Sequence, residues 1–303
     1  MGSATQINQN YWEKLTQVCA IGAVYDSRER EPHSKCFEGT RVELLQSLRN
    51  IVEESGPENK KMVWVSGESG SGKSTVAHTF ADELRQQKKL AGSFFFSRKH
   101  TKRSTFDLVP LTLAYQLGLH HHRAREIITK AIADDPGLLT PEKSRQDQLE
   151  KLVIEPLKQL ALTWGKTKGM ALIFDALDEG TTRDSNTQHF RDFIATLSAL
   201  LRNASLPICS IIIFSRAYPE IRVVMRSRYL SDITAFVQVQ DKDSSADVKH
   251  YLQHELERIY DENLYEDELM DPDYPHCPSP SDVSLLSERA NGRFIFAVTI
   301  IRL

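Results

Sequence analysis

Met62-Val63-Trp64-Val65-Ser66-Gly67-Glu68-Ser69-Gly70-Ser71-Gly72-Lys73-Ser74 runs from a short apolar segment straight into a glycine-rich loop. Met62 to Val65 reads as a buried parallel strand, because every residue is apolar and nothing alternates. From Ser74 to Lys88 the spacing turns helical, with Val76, Ala77, Phe80 and Leu84 on one side. Between them, Gly67-Glu68-Ser69-Gly70-Ser71-Gly72-Lys73-Ser74 completes the pattern G-x-x-x-x-G-K-S/T. A flexible Gly/Ser turn is the bland alternative, and the strand before and helix after count against it. Glycines let the chain curl so that successive N–H groups face phosphate oxygens, and the helix adds its positive end. Lys73 is then expected to reach the β- and γ-phosphates. Ser74 is expected to ligate Mg²⁺, with Thr75 completing the binding stretch.

A second motif lies about 100 residues downstream. Ala171-Leu172-Ile173-Phe174-Asp175-Ala176-Leu177-Asp178-Glu179 is an apolar strand ending on one acid and followed by an acidic pair. A carboxylate at the tip of such a strand can face the metal held by Ser74, so Asp175 is the expected second metal residue. Glu179 or Asp178 then orients or deprotonates the attacking water. Alone the motif is weak, since many apolar strands end in Asp; the loop upstream gives it weight. Ile208 to Phe214, an Ile-rich run, leads into Ser215-Arg216, and Arg216 is placed to sense the γ-phosphate. Lys73, Asp178, Glu179 and Arg216 are thus the expected catalytic set. For Arg216 the competing reading is an exposed arginine in an ordinary loop.

Further strands are expected at Gly92 to Phe96 and Thr234 to Val239, and helices at 42–52, 106–119, 124–133, 148–162, 189–201 and 247–260. Pro156 predicts a kink or restart in the helix that holds it. Residues 271–281, rich in Pro, Asp and Ser, read as a loop before two last helical segments at 283–290 and 294–301. Strands alternating with helices imply parallel βαβ units. The expected fold is α/β: a three-layer P-loop NTPase with a central parallel β-sheet, followed by a small C-terminal helical segment. Its expected parts are residues 1–60 as linker and lead-in helix, 61–240 as NTPase core, and 241–303 as an incomplete helical lid. The apolar run Phe294-Ile295-Phe296-Ala297-Val298 reads as a surface that a following domain covers.

The formal charge of −3, from 38 basic and 41 acidic residues, supplies no general field for nucleic acid. Cys19, Cys36, Cys209 and Cys277 form no CxxC pair and read as the reduced thiols of a cytoplasmic protein. The longest apolar region, Phe193 to Phe214, is broken by Arg202, Asn203 and Pro207 and is not a membrane span.

Cys36-Phe37-Glu38-Gly39-Thr40-Arg41, the GESGSGKS loop, Gly92-Ser93-Phe94-Phe95-Phe96-Ser97-Arg98, the Leu172–Glu179 and Phe214–Arg216 steps, and 288–297 follow one another in order. Together they resemble the nucleotide-binding module of fungal NACHT proteins, STAND-type signalling ATPases whose module is also called nephrocystin-like. The resemblance runs from about Ala23 onward. It implies a switch that rests with ADP and is activated by exchange to ATP and by homo-oligomerisation. It also implies an N-terminal effector domain and C-terminal repeat sensors, and a role in non-self recognition or programmed cell death. By the same resemblance Thr40 and Arg41, with Val24-Tyr25-Asp26-Ser27, are expected near the adenine and ribose.

Two other functions compete with a slow ATPase: a scaffold that binds nucleotide without hydrolysing it, and a small-molecule kinase. The kinase lacks any recognisable acceptor motif. The guanine-reading Asn-Lys-x-Asp motif is also missing, which favours ATP over GTP. The basic run Arg98-Lys99-His100-Thr101-Lys102-Arg103 is expected to be a solvated loop, and His120-His121-His122 a surface cluster, not a metal site.

Overall fold

All five expected strands form, and all run parallel. β1 (Lys61–Ser66), β2 (Leu90–Phe95), β3 (Met170–Asp175), β4 (Ile208–Ser215) and β5 (Thr234–Gln238) stand in the order β2-β3-β4-β1-β5. The computed structural model describes residues 2–30, 35–164, 169–180, 187–239, 244–266 and 279–302. Most of the 271–281 stretch expected as a loop therefore lies outside the described residues.

β2, β3 and β4 are buried along their whole length, as near-continuous apolar sequence requires of strands covered on both faces. β5, at one edge, is largely half-exposed. Consecutive side chains go to opposite layers: Phe94 and Phe96 join one core cluster and Phe95 the other. α1 (Gly2–Val18) precedes the sheet, and α2 (Val42–Glu54) leads into β1. α3 (Lys73–Gln86) connects β1 to β2. Val76, Ala77, Phe80 and Leu84 of α3 pack in the same cluster as Leu45 and Leu48 of α2. Four helices cross from β2 to β3: α4 (Val109–His120), α5 (His122–Asp134), α6 (Arg145–Leu149) and α7 (Glu155–Trp164). α8 (Thr187–Arg202) precedes β4 and α9 (Pro219–Met225) follows it. Because β1 lies beyond β3 and β4, the loops after β1, β3 and β4 open along one edge of the sheet, where α/β folds hold ligands.

The restart expected at Pro156 forms: α7 begins at Glu155, with Pro156 in its first turn. Residues Glu150–Ile154 form one wide π turn between α6 and α7, and the Glu155 N–H bonds to the Glu150 carbonyl five residues back. The wider turn absorbs the donor that proline lacks.

The clearest departure from the sequence reading is α1. Residues 2–18, expected within a linker, form a 17-residue helix. Trp12, Leu15 and Cys19 are buried in the larger core cluster. Trp12 stacks on Tyr115 at 5.5 Å, under the guanidinium of Arg125 at 4.4 Å. Gly118 makes room for that indole: a Cβ there would lie 2.4 Å from it.

At the other end, α10 (Ser244–Glu266), α11 (Pro280–Ala290) and α12 (Phe294–Ile301) form the expected helical segment. A small cluster of their own holds them together: Val248, Leu252, Val283, Ala290 and Ala297. Ser279 and Asp282 make a capping box at the start of α11. Ile295 and Phe296 remain exposed. Among the described residues, no helix is long and apolar enough to cross a membrane.

Candidate nucleotide-binding site

The Gly67–Gly72 loop leaves the C-terminal end of β1 and turns into α3 at Lys73. Gly72 sits at φ 90°, immediately before the helix, and Gly70 at φ 77°, both left-handed conformations that favour glycine. At Gly70 space is a second reason, because a Cβ would lie 2.3 Å from the Ile295 side chain. Lys73 Nζ folds back onto the loop, donating to the carbonyls of Gly67 at 2.9 Å and Glu68 at 2.5 Å. Burial pushes the Lys73 pKa down, while the charges of Asp175 and Asp178 act against that shift.

Two further carbonyls of the loop accept from donors outside it. Arg41 Nη2 donates to Ser71 O at 2.8 Å, and the Ile295 N–H donates to Gly70 O at 3.3 Å. A trans peptide is planar, so a Ser71 carbonyl turned toward Arg41 turns the Gly72 N–H away from it. That is the polarity an anion cradle needs.

Asp175 ends β3 and is almost fully buried, its carbonyl accepting from the Phe96 N–H at 2.9 Å. Ala176 follows at φ 52° and starts a 3-10 turn, Leu177–Glu179. A small residue suits that left-handed position, and the turn sends Asp178 and Glu179 in different directions. Asp178 is buried; its carboxylate accepts from the Arg216 N–H at 3.0 Å and from Arg216 Nε at 2.7 Å. Glu179 is more open. Its Oε2 accepts from the Arg98 N–H at 3.1 Å, and its Oε1 lies 3.7 Å from Arg98 Nη2 and 3.9 Å from Arg216 Nη2. Trp64 Nε1 donates to Ser215 Oγ at 2.8 Å and fixes the tips of β1 and β4 together, just before Arg216.

The loop, Asp175, Glu179 and Arg216 therefore occupy one edge of the sheet, on β1, β3 and β4. Ser74 stands in the first turn of α3. A hydroxyl at the helix start after β1 and a buried carboxylate on β3, one strand away across β4, are the donor set a hard divalent cation takes. Asp178 is the residue that holds Arg216.

Thr40 is buried and donates from its hydroxyl to Phe37 O at 2.6 Å. Arg41, also buried and at φ 56°, donates to Val239 O at 2.9 Å and Ser71 O at 2.8 Å. Its backbone N–H reaches Asp247 at 3.1 Å, and its guanidinium lies 5.0 Å from the Phe294 ring. It thus ties the phosphate loop to α10 and α12, which the sequence reading did not foresee. Tyr25 packs near His78 of α3, with its N–H on Ser93 Oγ at 3.1 Å. The three histidines do not converge: His120 turns to Arg85, whose Nη2 lies 2.6 Å from its Nδ1.

The family model for the nephrocystin 3 N-terminal region matches residues 39–216, more than half of the chain. This chain belongs to the nephrocystin 3 N-terminal family. The matched span of this nephrocystin-type chain starts just before Arg41 and ends on Arg216, so it holds Thr40, Arg41, the Gly67–Ser74 loop, Asp175, Asp178, Glu179 and Arg216, but neither Tyr25 nor the C-terminal helices. No curated protein matches the sequence. Among solved structures, the Aeropyrum pernix ORC2 protein (ADPNP–ADP complexes) is 12% identical, with a TM-score of 0.48, over 92% of this chain and 64% of its own. Drosophila ORC bound to GC-rich DNA and Cdc6 is 12% identical, with a TM-score of 0.40, over 81% of this chain and 33% of its own. For C. elegans PCH-2 the values are 12%, 0.34, 97% and 71%. The chain thus spans less than two thirds of the ORC structures it matches. At such identities nothing of what those proteins bind is carried over.

Proposed function

We propose that this chain is a NACHT-type nucleotide switch that binds Mg-ATP and ADP and hydrolyses ATP slowly. Residues 61–240 serve as its NTPase core and 241–303 as its helical lid. In this reading the nucleotide state controls homo-oligomerisation and signalling in the cytoplasm, in fungal non-self recognition or programmed cell death. The observation that carries the proposal is the shared edge: the Gly67–Ser74 loop, Asp175, Glu179 and Arg216 stand at the ends of neighbouring strands.

Ser74 and Asp175 are the residues to hold Mg²⁺, which when bound offsets the charge of the β- and γ-phosphates. Lys73 leaves the carbonyls of Gly67 and Glu68 for phosphate oxygens. Arg216, oriented by Asp178, donates toward the γ-phosphate, and Glu179 aligns a water for in-line attack. Thr40 and Arg41 act at the adenine end of the site by shaping the backbone around it.

A non-hydrolysing scaffold is the second reading, favoured by the engagement of Glu179 with Arg98 and of Asp178 with Arg216. Glu179→Gln separates the two. As a switch ATPase, the variant loses turnover by about 100-fold or more while ATP affinity stays near wild type. Equal, negligible hydrolysis by both forms, with tight binding, leaves the scaffold.

A further inference from the structure

Residues 98–102 of the basic run are exposed, as expected of a solvated loop, but Arg103 is buried and the loop is tied down at several points. Ser97 N–H donates to Arg103 O at 3.0 Å, His100 N–H to Ser97 O at 3.2 Å and Arg103 N–H to His100 O at 2.9 Å, so the loop closes on itself. One side of this ring faces the N-terminal segment. Lys102 Nζ donates to the carbonyls of Gln17 at 2.8 Å and Cys19 at 3.4 Å, where α1 ends and a cation is favoured. Arg103 is 3% exposed; it donates to Gly22 O at 2.9 Å and pairs with Glu29 at 3.1 Å. His100 faces the same Glu29 carboxylate at 3.7 Å. The other side of the ring is the Arg98 N–H on Glu179 Oε2. Phe96, just before the ring, is pinned to Asp175 O and lies against the turn after Glu179, where a Cβ on Gly180 would come within 2.8 Å of its ring.

We propose that loop 97–103 is a positioning element that lets the docked N-terminal segment, residues 17–29, restrain Glu179. Arg98 is its contact with the carboxylate, and Lys102 and Arg103 are its anchors. While the loop is anchored, Glu179 is engaged as an acceptor of the Arg98 N–H and stands beside two guanidinium groups. Releasing the anchors lets the loop shift as one piece and frees the carboxylate to take the attacking water. Hydrolysis is thereby regulated from the N-terminal segment. The inference rests on reading Glu179 as the residue that aligns water.

Gly22 supplies a gentle probe. A Cβ there would lie 2.4 Å from the Glu29 carboxyl carbon, and that carboxylate is the free end of a half-exposed side chain, so Gly22→Ala displaces Glu29 from Arg103 with little other disturbance. Glu29→Gln removes the same charge by another route. The experiment measures ATP turnover and Mg-ATP affinity for the full chain with Gly22→Ala, Glu29→Gln, Arg98→Ala, and Arg98→Ala combined with Glu29→Gln. Peptide-level hydrogen exchange over residues 96–104 accompanies it. Expected are faster exchange in that loop for Gly22→Ala and Glu29→Gln, and turnover raised roughly two- to fivefold at unchanged affinity. Arg98→Ala removes the guanidinium and keeps the backbone N–H on Glu179, so the double variant should still gain turnover over Arg98→Ala alone. Turnover that falls or stays level while the loop loosens overturns the inference, as does parallel loss of turnover and affinity. If no form hydrolyses ATP, the functional reading fails, and unchanged exchange in the loop then separately contradicts the coupling.

Discussion

The two ends of the chain are attached to the body in different ways. α1 enters the main core: Trp12, Leu15 and Cys19 belong to the same cluster as Phe94 and Ile211 of the sheet. The C-terminal helices have a separate cluster of five buried residues and meet the body mostly through polar and aromatic contacts. They include Arg41 with Asp247, Phe37 with His250, Tyr251 and His254, and Ile295 on the Gly70 carbonyl. A large apolar seam makes an element part of the global unfolding unit, whereas a few hydrogen bonds let it open by itself. The N-terminal helix is therefore expected to unfold only with the core, and the C-terminal unit to open on its own.

Trp12→Ala breaks the first half of that contrast and carries the largest expected effect. It leaves a cavity beside Tyr115 and Gly118 and lowers global stability by about 3–5 kcal/mol, read as a shifted denaturant midpoint. A change below about 1 kcal/mol makes α1 an appendage. Arg41→Ala addresses the second half. It removes two buried hydrogen bonds and the link to Phe294, so amide exchange in 247–256 and 283–297 quickens by the equivalent of about 2 kcal/mol, with the strands unaffected. Equal acceleration in β1 and β4 means the C-terminal helices unfold only with the sheet. Arg293→Ala is the smallest test. Its pair with Glu68, 3.0 Å apart, joins two side chains each about half exposed, and its loss changes exchange in α12 by less than about 0.5 kcal/mol.

The sheet and the phosphate loop were legible because their signals are local. The Met62–Val65 run, the glycine spacing and the α3 periodicity lie within a few turns of one another, and Asp175 ends an apolar run that can only be a strand. α1 was missed because its few apolar residues sit in a polar stretch, and their value depends on a groove made by α4 and α5. The ties made by Arg41 and Arg103 were not legible for the same reason in electrostatic form: Arg41 meets Val239 across 198 residues and Arg103 meets Gly22 across 81, and nothing near either arginine in sequence shows its partner. Asp178 and Glu179 were indistinguishable as neighbours in sequence. The left-handed Ala176 and the 3-10 turn after it separate a buried arginine holder from a carboxylate open to the site.

All of this depends on the loop binding phosphate, so the deciding measurement is the affinity of the purified chain for Mg-ATP and Mg-ADP, compared with Lys73→Ala. Saturable binding that weakens at least roughly 10- to 100-fold in the variant, with the fold intact, is the expected result. A folded wild-type chain that binds neither nucleotide, or binds both as well without Lys73, contradicts it.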